Sequence, residues 1–167
     1  DNEDLYNSIK LFRSHGMESR DNVKFFGINS RLDSLNAEIL SYRLTRLKEV
    51  VAKRRKNISL YKKYIKSDKV KLPQDGEHTF DSYVMMISEC EERDELQSYL
   101  KSKNIQSLVY YGTPLHLHKA SKILGYKEGD FLNAERIVKK VLSFPHHQYL
   151  TETEIQYVSD CINRFYG

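Results

Sequence analysis

Between Gly27 and Lys66 the chain carries no proline and no further glycine, and that uninterrupted run constrains the fold more than any other feature. Ser30 followed by Asp33 reads as a capping-box start, with Gly27 just ahead freeing the backbone to turn into it. Leu40, Leu44, Leu47, Val51, Ile58 and Ile65 then recur at steps of three, four or seven, which keeps them on one face of a helix. The spacing predicts one long helix, of roughly 50 Å at 1.5 Å per residue, longer than a small domain is wide. Such a rod must join two lobes, line a subunit contact, or both.

At 167 residues the chain is one domain, or one domain with a piece of another, and long enough to bury a core. It has no apolar run of about 18 residues, so no membrane-spanning helix is expected, and its first residues lack the basic-then-apolar order of a signal peptide. Cys90 and Cys161 stand far apart, without CxxC or zinc spacing, which fits two ordinary thiols in a reducing cytoplasm. The net charge of +4 hides a local concentration: eleven Lys or Arg lie between Asn29 and Lys66 against Asp33, Glu38 and Glu49. Lys53-Arg54-Arg55-Lys56 raises nucleic acid as a partner. A solvated helix face, with some arginines pairing to acids elsewhere, is the better reading, since no helix-turn-helix, zinc finger or RNP-like aromatic motif accompanies it.

Before the rod, Asp1 to Arg13 has Leu5, Ile9 and Phe12 on one face and acids in its first turn, an amphipathic helix ended by Ser14-His15-Gly16. A polar loop is expected to follow, up to Val23. A helix at residue 1 suggests a chain that starts inside a domain. After the rod, Val70 to Pro73 reads as a short strand and Thr79 to Ser88 as a longer one, with Phe80, Val84 and Met86 on one side and Tyr83, Met85 and Ile87 on the other. Glu91 to Lys103 is a helix facing inward through Leu96, Tyr99 and Leu100, and Gln106 to Tyr111 a further strand. A short helix is expected near His118 to Leu124. Asn133 caps another that runs through Ala134, Ile137, Val138, Val141 and Leu142, and Thr151 with Glu154 opens a final one on Ile155, Val158, Ile162 and Phe165. Strand, helix, strand is half of a small open-faced sandwich, so the class is α/β with an α+β small lobe.

Local motifs for chemistry are absent: there is no P-loop, GxGxxG, GxSxG or HExxH. His116 and His118, and His146 and His147, invite a metal, yet no acid or cysteine is spaced to complete three or four ligands.

Longer motifs go further. Residues 27–40, GINSRLDSLNAEIL, resemble the G-x-N-x-R signature of the DegT/StrS nucleotide-sugar aminotransferases, fold type I enzymes that use pyridoxal 5'-phosphate. Agreement continues through RDELQSYL at 93–100 and through residues 110–155, YYGTPLHLHKASKILGYKEGDFLNAERIVKKVLSFPHHQYLTETEI, which are similar to the family's C-terminal block. Gly112-Thr113 and His118 depart from the family's commoner residues, and Ser82 changes the first position of a family strand.

The resemblance implies a C-terminal portion: 1–28 as the tail end of the cofactor-binding large domain, 29–66 as a long interdomain helix, and 67–167 as a small α/β domain with a short antiparallel sheet and packed helices. It implies amino transfer from glutamate to a keto sugar linked to a nucleotide, in a homodimer with shared active sites, without nucleic acid or membrane as partner. The lysine that carries the cofactor is expected upstream of Asp1, leaving these residues inactive alone, with surface polysaccharide or glycosylated metabolites as the product class. Asn29 is implied to reach the cofactor phosphate of the other subunit, where an amide donor suits an anion, and Arg31 to assist in the same corner. Tyr111 and His116 are implied to lie near the sugar-nucleotide end of the cleft. Two alternatives remain open: a relative that uses the amine form of the cofactor for sugar dehydration, and a non-enzymatic basic helical binding module.

Overall fold

The computed structural model describes every residue from Asp1 to Gly167, and these divide into two compact units, Asp1–Leu47 and Lys48–Gly167. No helix is long and apolar enough to cross a membrane.

The first unit opens with α1 (Glu3–Phe12), capped by Asn2, whose side-chain oxygen accepts from the Leu5 N–H at 2.9 Å. Where a polar loop was expected there is a small antiparallel hairpin, β1 (Met17–Ser19) with β2 (Asn22–Val23), in a stretch too short and polar to show strand alternation. Two glycines make the packing possible. Gly16 has φ of +72°, and a Cβ there would lie 1.7 Å from the Phe25 carbonyl oxygen. A Cβ on Gly27 would sit 2.4 Å from the Phe12 oxygen. Only Gly16 is fully buried in this unit, and Leu5, Ile9, Leu35 and Leu44 stand largely in solvent, so backbone hydrogen bonds rather than a core hold it.

The single rod is instead two helices, α2 (Ser34–Thr45) and α3 (Leu47–Tyr64). Thr45 explains the break: its hydroxyl donates back to the Tyr42 carbonyl at 2.7 Å, and Arg46 N–H turns to the Arg43 oxygen at 3.1 Å, a tightened last turn. The start also differs. Asp33, not Ser30, is the N-cap, its carboxylate accepting from the Asn36 N–H at 2.9 Å. The boundary between the two compact units falls at residue 47, within the span expected to be one helix.

The second unit is built on a three-stranded antiparallel sheet in the order β3 (Val70–Lys71), β4 (Ile87–Cys90), β5 (Val141–Ser143). Its core joins Ile58 and Tyr61 of α3 to Cys90, to Leu96 and Leu100 of α4 (Arg93–Ser102), and to Ile155 and Ile162 of α6 (Glu152–Tyr166). Each such buried aliphatic side chain contributes about 2 kcal/mol. The Thr151–Glu154 capping box is present in both directions.

Three sequence expectations change here. Thr79 to Met86 is not a strand: Arg55 pairs with Asp75 and donates to the Asp81 carbonyl at 2.7 Å, its guanidinium 4.1 Å from the Phe80 ring centre, and Tyr83 takes φ of +48°. Side chains, not a ladder, hold that loop, and pairing begins only at Ile87. The segment around Leu108 meets the sheet through a single bridge to Ser143. Finally, α5 (Leu132–Val138) has Phe131 as its N-cap, two residues ahead of the Asn133 cap expected, and stops before Val141 and Leu142, which belong to β5. Arg93 donates to the Val138 and Val141 carbonyls, ending the helix and starting the strand from one guanidinium.

Candidate functional site

Asn29 and Arg31 lie in the first unit, on the segment that closes against the end of α1. His15 N–H donates to the Ile28 oxygen at 2.9 Å, Ile28 N–H to the Phe12 oxygen at 2.8 Å, and Ser30 N–H to the Arg13 oxygen at 2.9 Å. Asn29 sits in the middle, bridged to Ser14. Its side-chain oxygen accepts from Arg31 Nε at 3.1 Å, so the amide NH2 is turned outward beside the exposed guanidinium. Asn29 stands four residues before the cap of α2, whose first turn is already closed by Asp33, a carboxylate held below its usual range by hydrogen bonds from Asn36. The corner thus offers an anion side-chain donors and not the helix end.

Tyr111 and His116 belong to the second unit and have different surroundings. Tyr111 is 70% exposed, its ring edge-on to Tyr110. The His116 side chain is only 8% exposed: its Nε2 lies 2.9 Å from a Glu135 oxygen, and its ring packs on Phe131 at 4.8 Å. Burial raises the Glu135 pKa, but hydrogen bonds from Gly129 N–H, His116 and Phe131 N–H outweigh it and keep the carboxylate ionised. His116 and Glu135 therefore clasp the Gly125–Phe131 loop to the turn at Leu115–Leu117. No three or more His, Cys, Asp or Glu side chains gather as a metal site.

A further constellation went unnoticed in the sequence because its members are distant in it. Arg54, Asn57 and Tyr61 recur along one face of α3, and each takes hold of the turn after β5. Tyr61 Oη donates to the Pro145 carbonyl at 2.8 Å, Asn57 Nδ2 to the His147 carbonyl at 2.9 Å, and Arg54 to the Gln148 side-chain oxygen at 3.3 Å. Beside this turn lies a depression of about 320 Å³ lined by Val84, Met85, Leu108, Tyr110, Ser143 and His147 among others. Burial first, with Arg54 nearby, lowers His146 to a pKa of about 4, a smaller contribution from the Tyr83 backbone opposing them. The pair of histidines was the visible signal in the sequence for this turn.

With this geometry in place, comparison with known proteins gives consistent matches. Residues 1–163 match the model of the DegT/DnrJ/EryC1/StrS aminotransferase family. A pleiotropic regulatory protein of Geobacillus stearothermophilus is 36% identical over 98% of this chain and 45% of its own length. A dTDP-3-amino-3,6-dideoxy-alpha-D-galactopyranose transaminase of Aneurinibacillus thermoaerophilus is 31% identical over 97% of this chain and 44% of its own. Among solved structures, a DegT DnrJ EryC1 StrS aminotransferase from Brucella abortus superposes with a TM-score of 0.86 at 30% identity, over 99% of this chain and 44% of that one. The chain therefore spans less than half the length of the relatives it matches.

Proposed function

Because the chain belongs to the DegT/DnrJ/EryC1/StrS aminotransferase family, we propose that it serves as the C-terminal part of an enzyme that moves an amino group from glutamate to a keto sugar linked to a nucleotide. The observation that carries this reading is a family match from residue 1 to residue 163 with relatives named as sugar transaminases. Those relatives are more than twice as long, and in this reading the lysine that carries the cofactor belongs to the rest of the enzyme.

The residues present fit pyridoxal 5'-phosphate. Two outward amide N–H groups on Asn29 and the Arg31 guanidinium form a donor set for a phosphate dianion, charge-assisted and with no carboxylate hydrogen-bonded to either side chain. When bound, the cofactor supplies the electron sink for the carbon whose amino group is exchanged. Asn29 and Arg31 bind and orient its phosphate across a homodimer contact, which the solvent-facing apolar side chains of this unit favour. Tyr111 lies at the sugar-nucleotide end, and His116 acts there indirectly, by holding its loop through Glu135.

The test is amination by the whole enzyme. dTDP- and UDP-linked keto sugars are supplied with glutamate, and mass spectrometry reads replacement of the carbonyl oxygen by an amine. Glutamate-dependent product is expected, with Asn29→Ala weakening cofactor retention roughly tenfold or more, the value of hydrogen bonds to a charged group. No amine product from any keto-sugar nucleotide would overturn the proposal.

A further inference from the structure

A larger cleft, of about 740 Å³, lies between the last turns of α4 and the segment that follows them, and shares only Gln106 with the depression beside the turn after β5. Three primary amides line it (Gln97, Asn104 and Gln106), with the hydroxyls of Ser98 and Ser107 and the ammonium of Lys101. No carboxylate and no aromatic ring joins them. Lys101 stands in the last turn of α4, where the carbonyl pole of the helix already balances its charge.

The way α4 ends sets these groups out. Asn104 takes φ of +59°, a left-handed position that asparagine tolerates, and its N–H donates to the Lys101 carbonyl at 3.0 Å. Ile105 then turns into the core, 5% exposed, and leaves the amides of Asn104 and Gln106 in solvent on either side of it. Gln97 Nε2 donates to the Ser107 carbonyl at 3.1 Å, which frees its Oε1 as an acceptor, and Ser98 Oγ donates to the Asp94 carbonyl at 2.9 Å. Ser107 Oγ is out of reach of bulk solvent and has no partner in the chain. A hydroxyl so placed is costly until a ligand or an ordered water meets it.

The chemistry of the lining selects among ligands. Each primary amide carries an acceptor beside two donors, the pairing that neighbouring sugar hydroxyls require. A phosphate or carboxylate would find a single, already balanced cation where it needs several charge-assisted donors. A nucleobase would find no aromatic or guanidinium plane to stack on. An extended peptide would add to the backbone edge, but Leu108 exchanges both its bonds with Ser143, and the Ser107 carbonyl beside it is taken by Gln97. The volume falls within the range of about 300–1,000 Å³ usual for small-molecule sites and accommodates two linked sugar rings.

We infer that this cleft is a second ligand site, apart from the depression beside the turn after β5, and that it binds a neutral disaccharide through the side-chain amides of Gln97, Asn104 and Gln106. The site stands whether or not the whole protein aminates sugars.

Calorimetric titration of the whole protein with maltose and with cellobiose tests it, inorganic phosphate serving as the anionic control. At least one disaccharide binds saturably in the millimolar range, and phosphate does not. Asn104→Gly removes one amide while suiting the left-handed turn, and Gln106→Ala removes another from an exposed position, so both variants fold as the parent does. Each weakens the disaccharide about three- to tenfold, the factor one neutral hydrogen bond carries. Saturable binding of neither disaccharide, an affinity unchanged in both variants, or phosphate bound more tightly than either sugar overturns the assignment.

Discussion

Protonation of His146 is the perturbation that the second unit resists most visibly. Both ring nitrogens are inaccessible and the Arg54 guanidinium lies nearby, so charging the ring in place is opposed by desolvation first and by like charge second, against a smaller favourable contribution from the Tyr83 backbone. Its pKa falls to about 4 in the folded chain, against about 6.5 unfolded. The unfolded chain therefore takes up the proton first. The stability contributed by the neutral ring is intact above pH ~6.5 and is lost progressively as pH falls toward 4. Two and a half units correspond to about 3 kcal/mol at most, and partial solvent access to the ring reduces this to about 2 kcal/mol. Urea unfolding followed by circular dichroism at pH 7.5 and pH 4.5, for the parent and for His146→Leu, isolates the contribution, because carboxylates titrate alike in both. The parent is expected to lose about 2 kcal/mol more than the variant. Parallel losses would refute the argument and place a hydrogen-bond partner on the ring.

Tyr61→Phe removes the hydroxyl that reaches the Pro145 carbonyl from α3, and is expected to lower the stability of the second unit by about 1–2 kcal/mol, several degrees in Tm; a melt unchanged from the parent would count against a stabilising role for that bond. Gly16→Ala drives a Cβ into the Phe25 carbonyl at a positive φ, so the Ile28 and Ser30 amides should lose protection from hydrogen exchange while the Leu96 and Ile155 amides keep theirs.

What could be read in the sequence was what is decided locally. The Thr151–Glu154 box and the stripe Ile155, Val158, Ile162 specify α6 within fifteen residues, and α6 is as expected. Where a distant side chain decides, local pattern misleads. Val141 and Leu142 continue the spacing of α5, yet Arg93, more than forty residues earlier, takes the carbonyls at the junction and turns them into strand. Phe80 to Met86 alternates like a strand, but Arg55 and Asp75 hold it as a loop, with Asp75 kept at a pKa of about 2 chiefly by its hydrogen bond from Arg55. Thr45 breaks the long helix through one hydroxyl that composition and periodicity do not weigh.

The same division explains the candidate sites. Asn29 could be singled out only through the family resemblance of residues 27–40, since the residues around it read by themselves as a turn. Even so, its geometry comes from a lattice of main-chain bonds to Phe12, Arg13 and Ser14 that no motif displays. His116 carries the same motif-level signal, and its ring turns out to be occupied by Glu135, nineteen residues on. His147 lies inside the family-like block and in a histidine pair, but neither signal gives its surroundings. Its place is fixed by a helix ninety residues earlier, through Asn57, a polar residue on a face that hydrophobic patterning would leave apolar. A buried asparagine bonded in this way offsets its own desolvation and ties the turn after β5 to α3, a long-range link that no local pattern displays.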